Sequence, residues 1–404
     1  TIKLPLVEGI PTTLMVKFPT DWLLGNMLDK IIWANISNVF IFSLMEKQRK
    51  PIFVYQQLGN IVLRGSYLTL AALAEAIPHQ SSFTTLVEFS ERQDRPPQKE
   101  IYICPMIEIS HHYLGDINDQ QLWIGRMGNP NGPPILLIHG AIENSRIFYS
   151  EKGKGIAPFL AEAGFDVFVT DLRGKGRSTP LANSKKVGAG QFEVITQDIP
   201  TVLHFIKSIK GSDSGIHLMA HSWGGVLVAS WFARFYKEGD NIRSMIFFAS
   251  KRKIYVQHIK RWFMVDLMWT GLGSIATKLA GYLPAKTLKM GSDDEPAKFY
   301  FQCNKWVYSK YWIDPVDKFN YNQAFKKVQF PPILSLTGIS DHSLGNKYCV
   351  GRMLAEMAPE NLTSLVLSKV NGNLHNYDHI NILTHPDAPK DHFPTVLNWL
   401  NQHN

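Results

Sequence analysis

Cysteine is scarce. Three residues (Cys104, Cys303 and Cys349) in 404 cannot build a disulfide framework, and none has a partner at metal-ligand spacing. No apolar run reaches the roughly 18–20 residues that a membrane-spanning helix needs. No basic, apolar, small-residue leader pattern opens the chain. A cytoplasmic or peripheral-membrane protein is therefore expected. Charged residues make up only 19% of the composition, which excludes a disordered polyelectrolyte and a coiled coil. Dense basic tracts are missing apart from Lys251-Arg252-Lys253, and no recognition motif accompanies that triplet, so nucleic acid is not an expected partner. No internal repeat is present.

What is present is apolar and aromatic: 45% hydrophobic and 12% aromatic residues, with room for two or three domains. Residues 1–98 read as a separate N-terminal region. Asp21 to Glu46 is apolar, with Leu24, Met27, Leu28, Ile31 and Ile32 at helical spacing. A second apolar stretch spans Ile61 to Ile77. The run from Ser90 to Lys99 is polar, charged and holds two prolines, so it reads as a linker.

From about Glu100 the pattern changes. Ile101–Ile109 and Gln121–Arg126 read as strands. Short apolar runs then follow at Pro134–Ile138, Phe165–Thr170, Gly215–Ala220, Arg243–Ala249, Ile333–Thr337 and Thr363–Val370. Amphipathic stretches at Ile156–Ala163, Phe192–Ile209 and Gly225–Tyr236 lie between several of them. Continuous apolar strands alternating with helices predict an α/β fold, a mostly parallel sheet covered on both faces. Residues 251–325 break this rhythm and read as an inserted helical cap.

The run from Met219 to Val226 follows a strand and opens a helix. Within it, Ala220-His221-Ser222-Trp223-Gly224 fits the G-x-S-x-G nucleophile elbow, with Ala in place of the first Gly. A strained turn there would expose the Ser222 hydroxyl. Pro134–Ile138 ends in His139-Gly140, and the strand after it closes in Asp171-Leu-Arg-Gly-Lys-Gly-Arg-Ser178. With these three motifs the chain resembles the α/β-hydrolases over about residues 99–404. The resemblance implies an oxyanion hole made by the backbone N–H groups of Ala141 (or Ile142) and Trp223. It also implies that the run after Asp171 shapes the site, and that His139 fixes the oxyanion loop. The Tyr377-Asp378-His379 context and the insertion site of the cap are similar to lipase and esterase members.

A serine hydroxyl needs a base, and the base needs an orienting acid. In the family the order is Ser, acid, His. Asp341 follows the apolar run Ile333–Thr337 at a strand's carboxyl end, where functional groups gather. Asp314 and Asp317 are rivals, but they lie in the cap-like interval. His379 precedes the last helix region and is preferred over His375 as base. His342 lies on the wrong loop. His221 is expected to point away from the nucleophile. The expected enzyme is a serine hydrolase acting on a carboxylic ester, with Ser222, Asp341 and His379 as triad and no cofactor or metal. An acyltransferase or thioesterase with the same triad is the nearest rival. A non-catalytic lipid- or partner-binding protein of the same fold is the other.

The net charge of +8 is concentrated. Residues 251–325 carry 12 basic and 6 acidic residues and 15 aromatics, while the flanking regions are nearly neutral. A basic, aromatic cap suits an apolar acyl or lipid-like substrate and contact with an anionic membrane surface. The same aromatics also suit plain packing of the cap. The N-terminal apolar stretches are expected to pack rather than lie on a membrane.

Overall fold

The computed structural model describes residues 108–404 apart from 116–119, 185–186 and 238–240, together with the backbone of five strands between residues 28 and 87. The chain divides into two units, Thr1–Met106 and Ile107–Asn404. The linker expected at Ser90–Lys99 lies outside the described residues.

In the first unit, Leu28–Ile36 and Val39–Glu46 form an antiparallel pair. Pro51–Gln57, Asn60–Arg64 and Thr84–Val87 continue the sheet, the last pairing in parallel. The helical spacing at Leu28, Ile31 and Ile32 is therefore misleading. These residues lie in a stretch rich in Ile, Val, Phe and Trp, the types that suit a pleated strand, and short apolar runs satisfy both periods.

The second unit is built on one sheet of eight strands. They are β1 (Ser110–Leu114), β2 (Leu122–Gly128), β3 (Pro134–Ile138), β4 (Asp166–Asp171), β5 (Ile216–His221), β6 (Ile242–Phe248), β7 (Ile333–Gly338) and β8 (Leu362–Leu367). Their spatial order is β1-β2-β4-β3-β5-β6-β7-β8. Strands β3 to β8 are parallel, and β1 and β2 join antiparallel at one edge. This is the expected mostly parallel sheet. Every residue of β3, β4, β5 and β7 is buried, as strands covered on both faces require.

Helices α1 (Ile156–Glu162), α2 (Ile199–Lys210), α3 (Trp223–Phe235), α4 (Gly273–Ala280), α5 (Ala297–Tyr308), α6 (Lys347–Met357) and α7 (Phe393–Gln402) supply the layers. One core cluster packs α2, α3 and α6 on one face of the sheet. A second packs α1 and α7 on the other. Helix α2 is preceded by a π-helical turn, Val194–Asp198. Pro200 has no N–H to continue the ladder, which places the irregularity where the sequence demands it.

Between β6 and β7 the interval 251–325 holds a π-helical stretch (Trp262–Leu272), α4, α5 and a two-stranded ribbon joining Tyr282–Leu283 to Glu295–Pro296. Its aromatics serve two ends. Phe299, Trp306, Trp312, Tyr321 and Phe325 are buried in the cluster that also contains Trp223. Trp262 and Phe263 are 55% and 53% exposed. No helix among the described residues is long and apolar enough to cross a membrane.

Candidate active site

Ser222 sits between β5 and α3 with φ +51° and ψ −122°. That conformation is costly for a residue with a side chain. It persists because both sides hold it: the Ser222 N–H donates to Phe248 O at 2.8 Å, and Gly224 in the first turn of α3 lies against the end of β3. A Cβ on Gly224 would lie 2.4 Å from Ile138 O, so no larger residue fits at that position. The turn lifts the Ser222 hydroxyl off the sheet.

His379 Nε2 lies 2.9 Å from Ser222 Oγ, and His379 Nδ1 lies 2.6 Å from Asp341 Oδ2. The three residues predicted from sequence therefore meet in one hydrogen-bonded chain. Asp341 also accepts from the Leu344 N–H at 2.9 Å, which fixes its carboxylate. Burial alone would raise its pKa, but the His379 imidazole beside it and backbone donors hold it at about 2. Burial lowers the His379 pKa, Asp341 opposes that, and the nearby charges of His221 and Lys251 add to the lowering. The result is a neutral imidazole with Nδ1–H on Asp341 and the Nε2 lone pair on the serine hydroxyl, the arrangement a general base requires.

The loop after β3 passes close over the elbow. A Cβ on Gly140 would come within 2.9 Å of Ser222 Cβ and 3.0 Å of Trp223 N. Among the described residues no acceptor takes the backbone N–H of Ala141 or of Trp223. Ile142 differs. Its N–H donates to Glu295 Oε2 at 2.7 Å, its carbonyl accepts from Asp293 N at 3.0 Å, and its φ is +51°. Between the two amides weighed on this loop, Ala141 is unengaged and Ile142 is committed.

The run Asp171–Ser178 contributes ties rather than reacting groups. Asp171 accepts from the N–H groups of Ser145 and Arg177, both at 2.8 Å. The buried Lys175 ammonium bonds Glu295 at 2.7 Å and Gly140 O at 3.2 Å. Arg173 pairs with Asp198 on the π-helical turn. His139 is fully buried, with Nε2 accepting from Leu172 N–H and Nδ1 facing Gly140 O. Burial and the Lys175 charge push its pKa down to about 4, so it is neutral.

One pair was not foreseen. The His221 ring, expected to point away from the nucleophile, lies 4.9 Å from that of His379. Its Nε2 donates to the His379 carbonyl at 2.8 Å and its Nδ1 to Glu143 Oε1 at 2.7 Å. Two acceptors call for two donors, so the ring is an imidazolium. Burial opposes that charge, yet Glu143 raises the His221 pKa overall. The same Glu143 oxygen accepts the Gly140 N–H. The pair thus links the oxyanion loop, the elbow and the backbone of His379. The sequence signal was a His beside the nucleophile and a Glu four residues after His139.

The rival residues are engaged elsewhere. Asp314 and Asp317 bind Arg234. His375 Nε2 lies 2.8 Å from Asp387. His342 is exposed and stacks on His258. The basic triplet is not a surface patch. Arg252 is fully buried and paired with Glu356, and Lys251 is only 6% exposed. The cap exposes large apolar residues, among them Ile259, Trp262, Phe263, Leu267, Ile275 and Leu279, and also lysines such as Lys278, Lys286, Lys289 and Lys298.

Comparison with known proteins follows this geometry. A family model of the alpha/beta hydrolase fold matches residues 133–271. Sterol esterase 2 of Saccharomyces cerevisiae is 32% identical over 97 residues, covering 22% of this chain and 18% of the yeast protein. Bifunctional epoxide hydrolase 2 of Sus scrofa is 31% identical over 135 residues, 33% of this chain and 21% of that protein. The matched stretches thus span about a fifth of these relatives. A soluble variant of monoglyceride lipase from Saccharomyces cerevisiae, solved with a substrate analog, superposes over 75% of this chain and 98% of its own, with TM-score 0.52 and 15% identity.

Proposed function

On this α/β-hydrolase domain, we propose a serine hydrolase that cleaves a carboxylic ester through an acyl-enzyme. The observation that carries the reading is the unbroken chain Asp341–His379–Ser222, with the nucleophile held at φ +51°. Ser222 Oγ attacks the acyl carbonyl while His379 Nε2 takes its proton. Asp341 keeps the His379 tautomer and stabilises the imidazolium that forms. The Ala141 and Trp223 amides receive the oxyanion. His379 then returns the proton to the leaving alcohol, and a water activated the same way releases the acid and frees Ser222. An acyltransferase or thioesterase would differ only in the acceptor or leaving group.

An apolar or lipid-like acyl group is the substrate class we favour. Eight large apolar residues face solvent between Ile259 and Leu279, more than isolated surface residues explain. We assign the membrane contact to this apolar face and not to the basic triplet, whose first two members are buried. The decisive experiment is labelling with a fluorophosphonate probe. Wild-type protein labels and Ser222→Ala does not. A wild type that stays unlabelled, or a variant that labels equally, overturns the assignment.

A further inference from the structure

Four Lys and Arg residues are buried among the described residues: Arg173, Lys175, Lys251 and Arg252. Three have a carboxylate: Asp198, Glu295 and Glu356 respectively. Lys251 has none. It makes no hydrogen bond and no ion pair among the described residues, and its Nζ lies 5.8 Å from the centre of the Trp223 ring. An unpaired ammonium at 6% exposure costs several kcal/mol unless something meets it.

Its place in the fold says what would. Strand β6 runs between β5, which leads to Ser222, and β7, which leads to Asp341. Lys251 follows the carboxyl end of β6, where ligands of such sheets bind. Ala249 turns the chain there with φ +49°. A Cβ on Gly345 would meet both Ala249 and the Asp341 carboxylate at 2.6 Å, so the β6 and β7 exits touch. The charged and titratable groups around the ammonium are Asp341 after β7, Cys303 on α5 and Cys349 on α6, with His379 within reach of its field. Asp341 is already committed to His379 and backbone N–H groups. No neighbour supplies a free acceptor charge.

We propose that Lys251 is a specificity-determining residue whose ammonium binds an anionic oxygen group, a carboxylate or a phosphate, on a substrate held beside Ser222. Its location as a substrate subsite rests on the serine hydrolase reading; its capacity to bind an anion does not. Burial depresses the Lys251 pKa, and an arriving anion opposes that depression by favouring the charged form.

The binding test uses the full chain carrying Ser222→Ala, titrated calorimetrically with glutarate and, separately, with inorganic phosphate. One of the two anions binds, which identifies the source of the charge. Adding Lys251→Met weakens it at least tenfold, and Lys251→Arg restores most of the loss. Binding of neither anion, or equal binding after Lys251→Met, overturns the proposal. In turnover, p-nitrophenyl esters with neutral and carboxylate-ended acyl chains of equal length are compared. Lys251→Met lowers the anionic-to-neutral ratio of kcat/KM at least tenfold, and an unchanged ratio also overturns it. If wild type hydrolyses neither ester, the hydrolase reading fails while the titration still decides the role of Lys251. Should Lys251→Met not fold, the same measurements on Lys251→Gln decide.

Discussion

Replacing His221 by Phe keeps a ring of similar size and removes both donors. The buried Glu143 carboxylate then loses its cation, and the His379 carbonyl loses its donor. Glu143 is 6% exposed and His221 is fully buried, so solvent screens little of this. Breaking a buried pair by deleting one partner costs about 3–5 kcal/mol. At roughly 2–4 °C per kcal/mol for a domain of this size, the melting temperature falls by about 6–20 °C. The pH dependence identifies the cause. The folded pKa of His221 is raised, so its contribution is complete below its unfolded value of about 6.5 and is lost as pH rises through the folded value. The folded pKa of Glu143 is lowered, so its contribution is present above its unfolded value of about 4.3 and is lost as pH falls through the folded value. The gap between wild type and His221→Phe is therefore widest between about pH 5 and 6.5 and narrows on going alkaline. Melting followed by circular dichroism from pH 5 to 9 reads this directly. Hydrolysis of a short p-nitrophenyl ester adds the functional half: kcat falls about tenfold or more with KM little changed, because the pair anchors the oxyanion loop and the base without touching substrate. A shift under 2 °C at pH 6, or a gap that widens as pH rises from 6.5 to 9, refutes the reasoning.

Asp341→Asn removes the acceptor that fixes the His379 tautomer, so kcat drops by on the order of 10³–10⁴-fold with the fold intact. In wild type the lowered His379 pKa carries the kcat/KM plateau below pH 6.5, and a rise centred above that pH contradicts it. Glu295→Ala strands the buried Lys175 and frees the Ile142 amide. A loss of about 3–5 kcal/mol in urea unfolding is expected, together with a lower kcat, and an unchanged midpoint removes the clamp from the account. Trp262→Ser with Phe263→Ser reduces partition onto lipid vesicles about 30-fold, since two half-exposed rings lose their apolar contact. Melting temperature holds because these rings already face solvent, and an undiminished vesicle affinity places the lipid contact elsewhere.

The parts of this molecule that were legible in the sequence depend on neighbouring positions. Gly and Ala must flank Ser222 within two residues, because strand and helix pack closely there. Asp341 follows an apolar run by a few positions because functional groups gather at strand ends. The parts that stayed hidden depend on pairs far apart in the chain. Glu143 and His221 are separated by 78 positions, Lys175 and Glu295 by 120. Composition cannot announce such partners: Glu143 on a loop and Lys175 in a glycine-rich turn read as solvated charges until the sheet brings them together. Lys251-Arg252-Lys253 shows the same limit most sharply. As letters they are one basic run inside a cap interval whose summed charge and aromatics suggested contact with an anionic membrane surface. In the fold the three side chains part: Arg252 enters the core onto Glu356, Lys253 lies over the Tyr255 ring, and Lys251 turns inward beside Trp223 without a carboxylate. Charge counted along a chain predicts a surface only when the residues are exposed. Once burial is known, the informative cation is the unpaired one, because an unmet buried charge is a demand on the ligand rather than on the protein.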